Sequence, residues 1–260
     1  MSIPLGPNWA LCHIGLKFPG ATLAACVAAS FLVMAPDPTP MVAITFDDGY
    51  ESVLVNALPE MEYRNMVGTS YISTGFLNRP GYINESDIST FTDANWEIGA
   101  HTVTHPDLTQ LSIFDLHDEL VPPIPYLSSV SGQEVLSFAS PYGSYNDEVI
   151  EYVEKLYFNH VNAWSDSNGI NTLEEFDPYD VHRQDVSSSY YTRICDTLNN
   201  LPENSLYVLV MHDVVNSEDI DSVYDTSIEK FNSILTCVEK SGVNVVRLSD
   251  GVQTMIERLK

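Results

Sequence analysis

The chain has 260 residues, enough to bury the core of one α/β domain, and its 44% hydrophobic content fits neither disorder nor a multi-pass membrane protein. Eleven lysines and arginines stand against 36 aspartates and glutamates, a formal net charge of −25. A surface of that sign repels phosphate, which excludes nucleic acid and anionic membranes as partners. The acids are scattered rather than gathered in blocks, so they read as a strongly hydrated surface suited to high salt more than as a dock for a cationic partner.

Residues 1–40 differ from the rest, because only one of the 36 acids, Asp37, falls there. Ala21 to Met34 is an apolar run of signal-peptide length, with Lys17 ahead of it and Pro36, Pro38 and Pro40 behind. Leu23-Ala24-Ala25-Cys26 resembles a lipoprotein cleavage box. The competing reading is that Met41 is the true start. Both set residues 1–40 outside the fold and leave 41–260 as a single catalytic domain. An export signal would make the protein extracellular or membrane-anchored; a start at Met41 would make it cytoplasmic.

From Met41 onward strands and helices alternate. Val42-Ala43-Ile44-Thr45-Phe46 is a buried-strand pattern ending in Asp47-Asp48-Gly49. Further strands are predicted over Gly68 to Ser73, Trp96 to Ala100, Val135 to Ala139, His160 to Trp164, Val181 to Val186, Leu206 to Met211 and Val243 to Leu248. Helices are predicted over Thr109 to Leu120, Asn146 to Phe158 and Ile220 to Lys240; the first is stopped by Pro122-Pro123. Repeated βα units of this number indicate a parallel barrel, in which the chemistry gathers at the carboxyl ends of the strands. Cys12, Cys26, Cys195 and Cys237 have neither metal-knuckle nor redox spacing. Cys195 and Cys237, in helix-like stretches, read as buried thiols, with a bridge between them left open.

The chemistry-bearing residues fall at those strand ends. Two adjacent carboxylates repel, so Asp47 and Asp48 need a cation or a shared proton. His101-Thr102-Val103-Thr104-His105 offers two imidazoles four residues apart. One carboxylate and two histidines make a three-ligand site with open positions, the pattern of a catalytic rather than a structural zinc, and the other carboxylate is then free to act as a base. Alone, the aspartate pair would be a turn and the histidine pair incidental; together they point to metal chemistry. No Gly-x-Ser-x-Gly elbow suggests a hydroxyl nucleophile. His13, His117, His160 and His182 carry no metal role in this reading.

Thr45-Phe46-Asp47-Asp48-Gly49, His101-Thr102-Val103-Thr104-His105, Phe138-Ala139-Ser140-Pro141-Tyr142-Gly143 and Leu209-Val210-Met211-His212 occur in an order that resembles the polysaccharide deacetylases, the carbohydrate esterases of family 4 or NodB homology group. The resemblance covers residues 41 to 260. It implies a distorted (β/α) barrel with about seven βα units, one divalent metal ion (zinc by its ligands) and an N-acetylated glycan as substrate, with no nucleotide cofactor. It implies Asp48, His101 and His105 as metal ligands, Asp47 as base and His212 as acid. Tyr142 would offer its backbone N–H to the oxyanion, and Pro141 would shape that loop. Two departures stand out. Ala139 replaces an arginine that many members use to steady the catalytic aspartate, with Arg183 as a substitute from another strand. The family's aspartate-and-tryptophan motif is also not cleanly present: spacing from Trp164 puts His160 at the aspartate position. Asp166, Asp180 and Asp185 remain as candidates to tune His212. These departures motivate an alternative, a weak or inactive carbohydrate-binding pseudoenzyme on the same fold. Tyr82, Trp164, Tyr190 and Tyr191 are candidate sugar-stacking side chains.

Overall fold

The computed structural model describes residues 37–162, 168–187 and 191–260. Its strands are β1 Met41–Phe46, β2 Thr69–Ile72, β3 Glu97–Ala100, β4 Ser137–Ala139, β5 Asn159–Val161, β6 Ile170–Asn171, β7 Gln184–Asp185, β8 Leu206–Met211, β9 Val214–Val215, β10 Thr226–Ser227 and β11 Asn244–Val246. The helices are α1 Leu58–Tyr63, α2 Ile88–Asp93, α3 Ile113–Leu120, α4 Pro123–Ser131, α5 Asp147–Val153, α6 Tyr191–Leu198, α7 Ile228–Ser241 and α8 Leu248–Arg258.

All six residues of β1 and all six of β8 are buried, as expected of uncharged runs in the middle of a sheet covered on both faces. These two strands pair in parallel over their whole length, from Met41 opposite Leu206 to Phe46 opposite Met211. Outward from β1 the parallel order continues through β2, β3, β4 and β5. The ring is closed by the segment leading into β7. Its first residue, Val181, bridges to Val161 of β5, and Gln184 and Asp185 pair with Leu209 and Val210 of β8. Seven parallel segments therefore curl into the distorted barrel expected from the sequence, with β11 also parallel beside the first half of β1 and the short β6 antiparallel beside the start of β8. Val42, Ile44, Phe46, Ile72, Ile98 and Phe138 face the helices, in one cluster with Phe231 and Leu235 of α7.

Several boundaries differ from expectation for identifiable reasons. Ser227 caps α7 through its side chain, which accepts from the Lys230 N–H, so the helix starts there and not at Ile220. Ser112, not Thr109, caps α3. Pro122-Pro123 ends α3 but also opens α4, because proline at the first helical position forfeits no hydrogen bond. The strand expected over Val243 to Leu248 stops at Val246, since Leu248 begins α8, a helix the strand pattern had hidden. The asparagine-capped α5 ends at Val153, and Phe158 instead donates its backbone N–H to Leu136 at the start of the next sheet segment.

Residues 37–40, ahead of β1, are tied to neighbouring elements. Pro38 O accepts from Asn204 N at 2.7 Å and Pro40 O from Asn244 N at 3.2 Å, while Arg258 Nη2 donates to the Asp37 and Thr39 carbonyls. The apolar run Ala21 to Met34 lies outside the described residues, as do Cys12, Cys26, Trp164 and Asp166. Among the described residues no helix is long and apolar enough to cross a membrane. Cys195 and Cys237 are not free thiols: they form a disulfide joining α6 to α7, with Cα atoms 5.3 Å apart.

Candidate active site

The motif residues enter the site through the turns that follow β1, β3, β4 and β8, all at the same end of the barrel. Because β1 leads straight into Asp47 and Asp48, the two carboxylates are fixed by a strand locked on both sides. Asp48 adopts a left-handed backbone (φ 74°) and Gly49 follows with φ 83°, which swings the chain away and leaves both side chains in the mouth. Thr102, His105 and Tyr142 are left-handed as well, with φ 67°, 63° and 58°. The five other described non-glycine residues with positive φ are all asparagine, the residue that tolerates this conformation best. The strained backbone therefore gathers at the motif residues, at a cost of about 1 kcal/mol or more each that the surrounding fold must support.

Asp48 Oδ1 lies 3.2 Å from His101 Nε2 and 3.1 Å from His105 Nε2. These distances lack hydrogen-bond alignment, so the buried Asp48 Oδ1 has no hydrogen bond. Ligand bonds of about 2.0–2.2 Å to one ion set neighbouring donors roughly 3.0–3.5 Å apart, so the three atoms are spaced as a shared cation would space them. His101 Nδ1 is 2.7 Å from the Ala139 carbonyl, which can only accept; the ring therefore carries its proton there and turns the Nε2 lone pair toward Asp48. This is the outer hydrogen bond that a metal-binding histidine uses, and the donor set fits a divalent ion. Burial opposes ionisation of Asp48, but the His101 and His105 imidazoles beside it hold its carboxyl far below the usual range. His105 is kept in place by its neighbours: Thr102 Oγ1 accepts its N–H at 2.9 Å, and the Tyr142 ring packs edge-on at 4.6 Å.

Asp47 is 3% exposed and faces Arg183, whose Nη1 and Nη2 donate to its two oxygens at 2.7 and 2.8 Å. Arg183 is itself buried, lies over the Tyr71 ring, and donates through Nε to Asn162 O at 2.8 Å. Gly99 makes room for that ring, because a Cβ there would sit 2.5 Å from it. Burial would push the Asp47 pKa up, yet the Arg183 charge, followed by that of His101, holds it below the ordinary aspartate value. The cation that pairs with Asp47 is thus Arg183, while Ala139 contributes its carbonyl to His101.

His212 follows β8 directly, and its buried Nδ1 makes no hydrogen bond. Of the carboxylates considered as its partner, Asp185 lines the same cavity, with its oxygens accepting from Ser187 N and Oγ, each at 2.7 Å. Asp180 is spent elsewhere, on Tyr145 and His182. His160 is no substitute aspartate but a core residue. Its Nδ1 donates to Tyr179 O and its Nε2 accepts from Ser140 Oγ, and burial lowers its pKa to about 4, so the ring is neutral.

Asp47, Asp48, His101, His105, Tyr142 and His212 line one cavity of about 370 Å³. Pro141 is buried behind it, and Tyr142 stands 60% exposed at its rim. Four lining residues were missed from the sequence: Tyr50, Ser222, Tyr224 and Asp225. Nothing local marks them, because three come from a loop the helical pattern had absorbed. Tyr82 does reach the site region, stacking on Tyr50 at 5.1 Å.

Comparison with known proteins agrees with this geometry. The profile of the family described as polysaccharide deacetylase matches residues 35–161, which contain Asp47, Asp48, His101, His105, Pro141 and Tyr142. Arg183 and His212 lie beyond the match. Among curated relatives, the peptidoglycan-N-acetylmuramic acid deacetylase PdaC of Bacillus subtilis is 28% identical over 109 residues, 42% of this chain and 23% of that protein. YxkH of the same organism, assigned to the polysaccharide deacetylases, is 24% identical over 127 residues, 48% of this chain and 46% of its own. The matched stretches thus span less than half the length of these relatives. Of solved structures, the CE4 domain of a multidomain xylanase from the hindgut metagenome of Trinervitermes trinervoides superposes with a TM-score of 0.59 at 17% identity, covering 82% of this chain and 89% of that one. A CE4 family pseudoenzyme from Bacillus anthracis gives 0.58 at 18%, covering 83% and 69%. At such identities the structures speak for the fold alone.

Proposed function

This chain belongs to the polysaccharide deacetylase family, and on that premise we propose that it is a metal-dependent hydrolase removing N-acetyl, or O-acetyl, groups from a polysaccharide or oligosaccharide. The observation that carries the proposal is the convergence of Asp48, His101 and His105, 3.1 to 3.2 Å apart, in one cavity with Asp47 and His212. A divalent ion held by those three, zinc by the chemistry of one carboxylate and two imidazoles, would polarise the acetyl carbonyl and make a water more acidic.

Asp47 is the general base in this reading. Arg183 keeps it ionised and fixes its plane, and a carboxylate that accepts two guanidinium hydrogens still has lone pairs for a water proton. The Tyr142 backbone N–H steadies the oxygen that becomes negative as the carbonyl carbon turns tetrahedral, a contact worth roughly 3 kcal/mol in comparable sites. Pro141 and the left-handed backbone at Tyr142 set that loop. His212 delivers a proton to the departing sugar nitrogen, which leaves as the amine while the acyl group leaves as acetate.

Acetate release from chitin oligomers by the metal-loaded protein tests the reading. Asp48→Ala should lose both metal and turnover, and Asp47→Asn should hold the metal and lose turnover. Normal turnover by Asp47→Asn would remove Asp47 as the base. Release from O-acetylated xylan alone would assign the ester. A second reading, a carbohydrate-binding pseudoenzyme, is favoured by the His212 Nδ1 that no carboxylate holds. Oligosaccharide binding without acetate release at any of several divalent metals would select it.

A further inference from the structure

We infer that Tyr224 is a sugar-stacking platform beside His212, and that the segment carrying it makes the cavity selective for glycan units without a carboxylate; this deepens the deacetylase reading and rests on it. The segment is built, not merely looped out. After His212 the chain forms β9, and β10 returns to pair with it in parallel, Thr226 opposite Val214 and Ser227 opposite Val215. Thr226 N donates to Asp213 O at 2.9 Å. Between the two strands the Asp225 carboxylate accepts from Asp221 N and Ser222 N, both at 3.0 Å, and Ser222 Oγ accepts from Tyr224 N at 3.2 Å. These bonds hold the Tyr224 ring 5.4 Å from the His212 ring while leaving the residue 44% exposed on the cavity wall.

A half-exposed aromatic ring on a cavity wall offers a flat apolar face that matches the C–H face of a pyranose. Tyr142 provides a second exposed ring at the end of the cavity where His105 lies. A glycan crossing the mouth therefore meets one ring near the metal ligands and another near the proton donor.

The charge of the walls sets the second half of the inference. Asp47, Asp48, Asp185 and Asp225 line the cavity, and no lysine or arginine is among its described lining residues. Asp47 is matched by Arg183 and Asp48 by the ion it would hold, while Asp185 and Asp225 are held by Ser187 and by the Asp221 and Ser222 N–H groups; Lys230 feels the Asp185 charge but is not among the lining residues. A sugar carboxylate would be brought near these acids with no lysine or arginine among the described lining residues to pair with, within a protein of net charge −25.

Calorimetric titration of the zinc-loaded full chain carrying Asp47→Asn tests this, with the neutral N-acetylglucosamine tetramer against a tetramer alternating N-acetylglucosamine and N-acetylmuramic acid. The neutral tetramer should bind at least tenfold tighter, and adding Tyr224→Ala should weaken it about tenfold, while Tyr224→Phe stays within twofold. Equal binding by Tyr224→Ala, a Tyr224→Phe as weak as the alanine variant, absent binding of the neutral tetramer, or preference for the muramic tetramer would each overturn the inference. Acetate release by the unsubstituted chain is read separately: its absence alongside Tyr224-dependent binding strikes the hydrolase reading and leaves a binding site.

Discussion

Arg183 and Asp47 are 136 residues apart in sequence and meet inside the barrel as a two-pronged ion pair, 2.7 and 2.8 Å long. Both are buried, so neither charge can be left alone cheaply. Arg183→Met should destabilise the fold by about 3–5 kcal/mol, because it strands a buried carboxylate. Asp47→Asn combined with Arg183→Met should recover part of that loss. Urea unfolding of the two single variants and the double variant checks the coupling. Arg183→Lys should keep most of the stability but lower turnover roughly a hundredfold, since an ammonium cannot hold the carboxylate plane.

The Asp48, His101 and His105 donors face one another in the described fold, and an ion bound there would stabilise the folded state. Chelation should lower the melting temperature of the unsubstituted protein by several degrees. Asp48→Ala should melt at the same temperature with and without chelator. A chelator-sensitive Asp48→Ala would mean that the ion sits elsewhere.

Burial lowers the His160 pKa to about 4, from an ordinary value of about 6.5. Between those values the unfolded chain binds a proton that the folded chain refuses, so stability rises with pH through this window. Acidification from pH 6.5 to pH 4 should therefore cost on the order of 3 kcal/mol from this group. Denaturant midpoints measured across the window should show the slope, and His160→Asn, though less stable overall, should flatten it.

The Cys195–Cys237 bridge closes a loop of sequence separation 42 between α6 and α7. Removing it frees the unfolded chain by roughly 4 kcal/mol in the loop-entropy estimate, and observed effects run from about 2 to 4. Cys195→Ser with Cys237→Ser should lower the unfolding free energy by that amount. An unchanged denaturant midpoint after reduction would show that the bridge does not form in solution.

A net charge of −25 should make stability depend on salt. The screening length falls from about 30 Å at 0.01 M to about 3 Å at 1 M, so self-repulsion is strongest in dilute buffer. The melting temperature should climb from low to molar sodium chloride. A flat profile would remove the high-salt reading of the acidic surface.

The sequence alone determined the barrel, the end of it at which the candidate site lies, and the two short motifs that bear Asp47, Asp48, His101 and His105. Those features are local: an uncharged β-branched run bounded by turn residues favours a buried strand, and polar residues that follow several such runs share one rim. Arg183 was readable too as a candidate partner of Asp47, an unexplained cation on a predicted strand. Tertiary structure decided what no window of residues contains. It bonded Cys195 to Cys237, made His160 a neutral core residue held by Ser140 and Tyr179, and left His212 Nδ1 without a hydrogen bond. It also lifted Tyr224 out of an apparent helix and set it beside His212, because the Asp225 carboxylate and the β9–β10 pairing outweigh the helical pattern of the residues around it.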